Sequence, residues 1–247
     1  MTTWPPRYRT AHQAMQCILS QAGVRMRERI HPVMVLSEEE VCDARYRNDA
    51  CALIRRLEKM EVEIIYDPGN IRSHKKLMPT LEKYPDNPIL VVDDDNIQAE
   101  GWLKTFLADH DAFPDDIIYG QSNAVISVNK GRITETRCPN THPGDVTIMA
   151  KPANGAAGTL YPAHTFTDPR FFDRSLFMSL SPSSDETWQW AFAKIAGKTF
   201  RCLSRWNYPY VFGADQSHAL FYENKDRYTD IHNRIASAIP EYVHRIS

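Results

Sequence analysis

The chain has 247 residues, 43% hydrophobic and 24% charged, with 29 Lys+Arg against 31 Asp+Glu and a net charge of −2. This is ordinary globular composition, long enough to bury a core without staples, and it excludes disorder and the strongly basic footprint of a nonspecific nucleic-acid binder. Five scattered cysteines (Cys17, Cys42, Cys51, Cys138, Cys202) form no CxxC pair, which excludes a zinc ribbon and opposes a disulfide scaffold.

Helical spacing over residues 10–22 places Ala11, Met15, Ile18, Leu19 and Ala22 on one face. An apolar run at 32–37 predicts a buried strand, and 49–60 returns to helix with Leu53, Ile54, Leu57 and Met60. Cys17 and Cys51 fall in these helices and read as core, with a catalytic thiol as the alternative. A strand at 62–67 is closed by Pro68-Gly69, and 72–84 suggests a helix that Pro79 kinks or restarts. The strand at 88–92 holds the best continuous apolar run of strand character, Ile89-Leu90-Val91-Val92, and feeds directly into Asp93-Asp94-Asp95 before a helix at 99–109. Alternating strands and helices predict an α/β fold with a mainly parallel sheet, whose ligands gather at the carboxyl ends of the strands.

The second half reads as strands at 116–122, 124–128 and 132–136 with a turn at Asn129-Lys130-Gly131. The glycine-dense stretch 154–158 leads into Thr159-Leu160-Tyr161-Pro162. Serines and acids at 181–186 suit the N-cap of a helix over 184–197, followed by a strand at 199–203. Tyr228, Ile231, Ile235 and Ile239 form a late helical stripe. With no internal repeat or linker, one domain over 1–247 is expected, divided at about residue 110. No run approaches the ~20 apolar residues of a membrane span, and residues 1–7 lack a signal peptide's apolar region. The expectation is a soluble, cytoplasmic protein with reduced thiols, and peripheral contact with the inner face of a membrane is left open.

The triple aspartate carries the chemistry. In an extended chain alternate residues share a face, so Asp93 and Asp95 are expected to converge while Asp94 points away. Two converging carboxylates suit a hard divalent cation, Mg²⁺ or Mn²⁺, whose open positions phosphate oxygens fill. The bland alternative is a solvated loop or a cap for the helix at 99–109.

Asp93-Asp94-Asp95 after an apolar strand resembles the DXD motif of GT-A fold, Rossmann-like glycosyltransferases. Thr2-Thr3-Trp4-Pro5-Pro6-Arg7, Ser73-His74-Lys75-Lys76-Leu77-Met78-Pro79, the glycine segment ending at Pro162 and Asp185-Glu186-Thr187-Trp188 are similar, in the same order, to motifs of small bacterial family-2-like glycosyltransferases of capsule and lipopolysaccharide synthesis. The resemblance implies a mainly parallel central sheet flanked by helices, with a smaller antiparallel portion in the second half. It implies a nucleotide-binding half (1–110) and an acceptor-binding half (111–247). It implies metal-dependent, inverting transfer of a sugar from a nucleotide-sugar donor to a hydroxyl of a saccharide or lipid-linked saccharide.

The roles implied are specific. Asp93 and Asp95 hold the metal, with the late His218 or His232 as a third ligand. Thr3, Arg7, Lys76, Asp94 and the Gly158 backbone contact the nucleotide sugar. Asp185, or else Glu186, is the general base, held ionised at a helix start. Each has a plainer alternative: Lys75 and Lys76 on a solvated helix face, Gly158 in a loop, Asp185 or Glu186 as a helix cap. Trp188, Trp190, Trp206, Tyr208 and Tyr210 line an acceptor cleft or, on spacing, pack in the core. The chain departs from the resemblance in its short first strand and in Ala191, where related enzymes carry an Arg. Two other functions remain open: a nucleotidyltransferase acting on sugar phosphates, against which stands the single glycine (Gly23) of residues 1–30, and a noncatalytic sugar- or nucleotide-binding module.

Overall fold

The computed structural model describes residues 1–137, 150–152, 156–205, 210–211, 224 and 226–246. The first segment pairs with the next strand at one point: Thr2 makes a parallel bridge with Val35, whose N–H donates to the Met1 carbonyl at 2.9 Å. A 3-10 turn (Pro5–Arg7) leads into α1 (Ala11–Ser20), which buries the expected Ala11, Met15, Ile18 and Leu19. After α2 (Val24–Arg27) come β1 (Val33–Ser37), α3 (Glu38–Cys42), α4 (Arg47–Lys59) and β2 (Glu63–Asp67). Strands β1 and β2 pair in parallel from Val33↔Glu63 to Ser37↔Asp67. Cys17 is half-buried and Cys51 is exposed, because α4 turns Leu53 and Leu57 inward and Cys51 outward.

The helix expected over 72–84 is two pieces, a 3-10 turn (Arg72–Lys76) and α5 (Met78–Lys83). Pro79 lies in the first turn of α5, where its missing N–H costs nothing, so it restarts the helix rather than kinking it. Then follow β3 (Ile89–Val91), β4 (Asn96–Ile97), α6 (Trp102–Ala112), β5 (Ile117–Tyr119), β6 (Ser122–Asn129), β7 (Arg132–Arg137), β8 (Ala150–Pro152) and β9 (Thr159–Tyr161). The described chain ends with a 3-10 turn (Pro169–Phe172), α7 (Arg174–Leu180), α8 (Asp185–Ile195), β10 (Phe200–Cys202), β11 (Tyr210–Val211), α9 (Tyr228–Ala238) and α10 (Glu241–Ile246).

The architecture is mixed α/β. In the four-stranded sheet the order is β10-β5-β9-β3, with β10 and β5 parallel and β9 antiparallel to both neighbours. Thus β3, β5 and β10 run the same way, and β9 returns between them. The antiparallel portion expected in the second half is the β7-β6-β8 sheet together with β9. Side chains alternate across the four strands. Val91, Ile117, Tyr119, Tyr161, Phe200 and Cys202 enter one core with α8 and α9, whereas Val92, Ile118, Leu160 and Leu203 enter another with α1, α4 and α6. No helix among the described residues is long and apolar enough to cross a membrane.

The turn before β9 is fixed by steric fit. Gly158 has φ +86°, and a Cβ there would stand 2.6 Å from Trp102 Cζ2. The Trp102 indole N–H donates to the Ala157 carbonyl at 2.8 Å, pinning the same turn to α6. Gly158→Ala is therefore expected to lower the unfolding free energy by about 1–3 kcal/mol through overpacking and left-handed strain. Urea denaturation checks this, and an unshifted midpoint contradicts it.

Candidate functional site

The three aspartates lie at the carboxyl end of β3, as their apolar approach strand requires. The extended conformation stops there: Asp94 and Asp95 form a turn before β4. The period of two is thereby lost, and the expected sharing of faces is replaced by another arrangement. Asp94 and Asp95 both meet Arg7, whose Nη1 is 2.8 Å from Asp94 Oδ1 and 3.0 Å from Asp95 Oδ2. The Thr3 hydroxyl donates to Asp94 Oδ2 at 2.5 Å, and the Asn96 side-chain amide donates to Asp95 Oδ1 at 2.6 Å. Thr3, Arg7, Asp94 and Asp95 are all buried. Thr3 and Arg7, expected at the nucleotide, are thus joined to the acid cluster itself. Burial raises the Asp94 carboxyl despite Arg7 and Thr3. Burial opposes the Arg7 charge, but the aspartates outweigh it and lift Arg7 above its ordinary value.

Asp93 goes the other way. Its Oδ1 is 2.5 Å from Lys76 Nζ, and the same ammonium is 3.8 Å from Asp185 Oδ2. Lys76 is delivered by the 3-10 turn and Asp185 by the first residue of α8, so two elements distant in sequence meet at one cation. Helix α8 starts there because the Ser184 hydroxyl accepts from the Thr187 N–H at 3.4 Å as N-cap. Strand β9 braces the carboxylate from behind: Tyr161 donates to Gln189 Oε1 at 2.8 Å, and Gln189 Nε2 donates to Asp185 Oδ2 at 3.4 Å.

The electrostatics separate the two acids. Burial pushes the Asp185 carboxyl up, but Lys76, His74, the Ser73 hydroxyl and its own backbone N–H together hold it below the usual carboxylate range. Asp93 is raised, by burial and by its acidic neighbours Asp95 and Asp185, against the pull of Lys76. Burial likewise opposes the Lys76 charge, and Asp185, Asp93 and Glu186 overcome it and raise the ammonium above its ordinary value. Glu186, half-buried in the first turn of α8, thus contributes field at the site.

Asp93 and Asp185 are the residues that could hold a divalent cation here: each directs a carboxylate oxygen at the Lys76 ammonium, which in this structure takes the place between them. Among the described residues no three His, Cys, Asp or Glu side chains form a ready-made metal centre. An ion would therefore be completed by waters and ligand oxygens, as Mg²⁺ commonly is.

Other expected site residues lie elsewhere. The Gly158 face that was to approach a sugar is covered by the Trp102 and Phe106 rings. His218, Trp206, Tyr208 and Gly155 lie outside the described residues. His232 is buried, with Nδ1 2.6 Å from the Tyr242 hydroxyl and Nε2 3.0 Å from Glu135 Oε2, so its ring nitrogens are engaged in the core of the second half. Lys75 is not on a solvated face: it is 2% exposed and paired with Glu40 at 2.5 Å. Trp188 and Trp190 pack in the core, Trp188 donating to the Phe171 carbonyl at 3.0 Å. Sequence reasoning missed His74, whose Nε2 is 2.8 Å from the Ser181 carbonyl. Its place beside Lys76 was a local signal, but Ser181 lies too far along the chain for spacing to reveal.

No protein-family model and no curated protein sequence matches the chain. Among solved structures, it is similar to apo UDP-glucose pyrophosphorylase at 9% identity and TM-score 0.44, covering 91% of this chain and 87% of that one. A UTP-bound UDP-glucose pyrophosphorylase from Acinetobacter baumannii matches at 10% identity and TM-score 0.45, covering 96% and 92%. A complex of the enzyme with UDP-glucose matches at 12% identity and TM-score 0.44, covering 91% and 87%. None of the three is a glycosyltransferase by name, and the glycosyltransferase reading of the sequence is corrected: it is not carried forward.

Lys76→Met tests this electrostatic arrangement. In the folded chain Asp185 titrates below its unfolded value, so its stabilisation is present above about pH 4 and is lost as pH falls through its folded value. Asp93 has the opposite sign: raised in the folded chain, it weakens folding as pH rises. Without Lys76 both carboxylates take that second behaviour. The variant is expected to lose about 3–5 kcal/mol at pH 8 and to recover part of it at pH 5. Chemical denaturation at the two pH values checks this, and an equal loss at both contradicts it.

Proposed function

We propose that the chain is a divalent-cation-dependent nucleotidyltransferase that joins a nucleoside triphosphate to a sugar phosphate. The observation that carries the reading is the convergence of Asp93 and Asp185 on the Lys76 ammonium at the carboxyl end of β3. That arrangement suits phosphate chemistry because it offers anionic oxygens for an ion and a cation for phosphoryl oxygens, with no carboxylate poised as a base. A sugar phosphate needs no base. Its second ionisation lies near pH 6, so the attacking oxygen is already anionic at neutral pH.

In the reaction this oxygen forms a bond to the α-phosphorus of the triphosphate. The bond from the α-phosphorus to the α,β-bridging oxygen breaks, and pyrophosphate leaves with the electron pair. Asp93 and Asp185 would hold Mg²⁺ or Mn²⁺, which when bound supplies Lewis-acid stabilisation of the phosphoryl oxygens. With an ion between Asp93 and Asp185, Lys76 would turn its charge-assisted hydrogen bonds to the polyphosphate. Arg7 offsets part of the charge of Asp94 and Asp95, which lessens the repulsion a polyanion meets at the cluster. The α8 N-terminus adds its partial positive charge beside Asp185.

The test incubates the chain with each nucleoside triphosphate and a panel of sugar 1-phosphates in Mg²⁺ or Mn²⁺. Pyrophosphate released one-for-one with a nucleotide sugar is the expected result. Release of nucleoside diphosphate from a nucleotide sugar, with no pyrophosphate formed or consumed in either direction, overturns it. Asp93→Asn and Asp185→Asn are each expected to reduce the rate at least about 100-fold, the scale of losing one preorganised charge contact. Activity within tenfold of wild type in either folded variant removes that residue from the site.

A further inference from the structure

We propose that His74 is a positioning residue: by donating Nε2–H to the Ser181 carbonyl, it fixes the start of α8 against the 3-10 turn that carries Lys76 and so sets the spacing between Lys76 and Asp185. The kinetic part of the test rests on the nucleotidyltransferase reading, and the ion-binding part does not.

The geometry is closely built. His74 is fully buried, two residues before Lys76. Its Nε2 lies 2.8 Å from the Ser181 oxygen, and because a carbonyl only accepts, Nε2 carries the hydrogen. The ring stacks on Phe177 of α7, with centroids 4.3 Å apart and planes at 24°. Ser181 is the joint between α7 and α8. Its N–H donates to the Phe177 carbonyl at 2.8 Å, closing α7, and its hydroxyl donates to the Ser184 carbonyl at 2.6 Å. Ser184 caps α8, whose first residue is Asp185. One hydrogen bond thus ties the turn bearing the cation to the joint bearing the carboxylate.

A merely space-filling role would be met better by phenylalanine. Nδ1 of His74 is buried without a hydrogen-bond partner among the described residues, a cost that a ring of carbon would not incur. What histidine adds to the stack on Phe177 is the Nε2–H directed at Ser181.

The experiment compares His74→Phe, which keeps the stack and loses the donor, with His74→Gln, whose side-chain amide keeps a donor at about the Nε2 position. Mn²⁺ affinity is read by electron paramagnetic resonance, and kcat and KM by pyrophosphate release. In folded His74→Phe, Mn²⁺ affinity is expected to fall about tenfold and kcat to fall similarly, with KM for the triphosphate within twofold. His74→Gln recovers most of both. Wild-type Mn²⁺ affinity in His74→Phe overturns the proposal, as does a folded His74→Gln no better than the Phe variant. Should His74→Phe not fold, His74→Gln decides alone: near-wild-type affinity supports the role and a tenfold loss overturns it. A wild-type chain that binds Mn²⁺ but releases no pyrophosphate overturns only the nucleotidyltransferase reading. A wild-type chain that binds no Mn²⁺ overturns the His74 proposal as well.

Discussion

Lys76 is the point on which the site depends. Two carboxylates cannot be brought together in a largely buried place without a cation between them, since each would otherwise drive the other to hold its proton. The ammonium lets Asp185 stay ionised at the start of a buried helix, and it does so from a 3-10 turn whose neighbouring residues are themselves enclosed. Lys75 pairs with Glu40 and His74 reaches Ser181, so the turn is held on three sides. A flexible lysine on a solvated helix would lose much more side-chain entropy on forming the same contacts.

A second clamp balances the first. Arg7 and Thr3 satisfy Asp94, and Arg7 also reaches Asp95, so three consecutive acids are divided between two cations from separate upstream segments. Thr2 aligns this segment beside β1 through its bridge to Val35 and its hydroxyl, which donates to the Val35 carbonyl.

Much of the fold was legible because it rests on local periodicity. The stripe of α1, the apolar runs of β1 and β3, and the serine-acid start of α8 each announce themselves within a dozen residues. The triple aspartate was legible as a site, since acids closing a buried strand need an explanation. Its internal geometry was not, because the alternation argument assumes an extended chain and the chain turns at Asp94. Lys76, Asp93 and Asp185 could each be singled out, whereas their meeting depends on how α8 docks, which no local pattern encodes. His232 failed as a ligand candidate for the same reason: its partners Glu135 and Tyr242 come from β7 and α10, and only the packed core reveals them. Residue chemistry also fitted more than one reaction, since phosphate-handling enzymes with different bond-making steps share paired acids and a lysine.

The reversed strand β9 has a consequence for biosynthesis. It lies between β3 and β5, so the middle of the sheet stays open until residue 161 has left the ribosome. Until then β3 and β5 present unpaired edges, which invite association with other nascent chains. The sheet closes late and through contacts distant in sequence, a topology that slows folding. The same insertion means that no cut between residues 92 and 158 leaves either fragment with a complete sheet, so the aspartates and the helix that faces them are made on one chain or not at all.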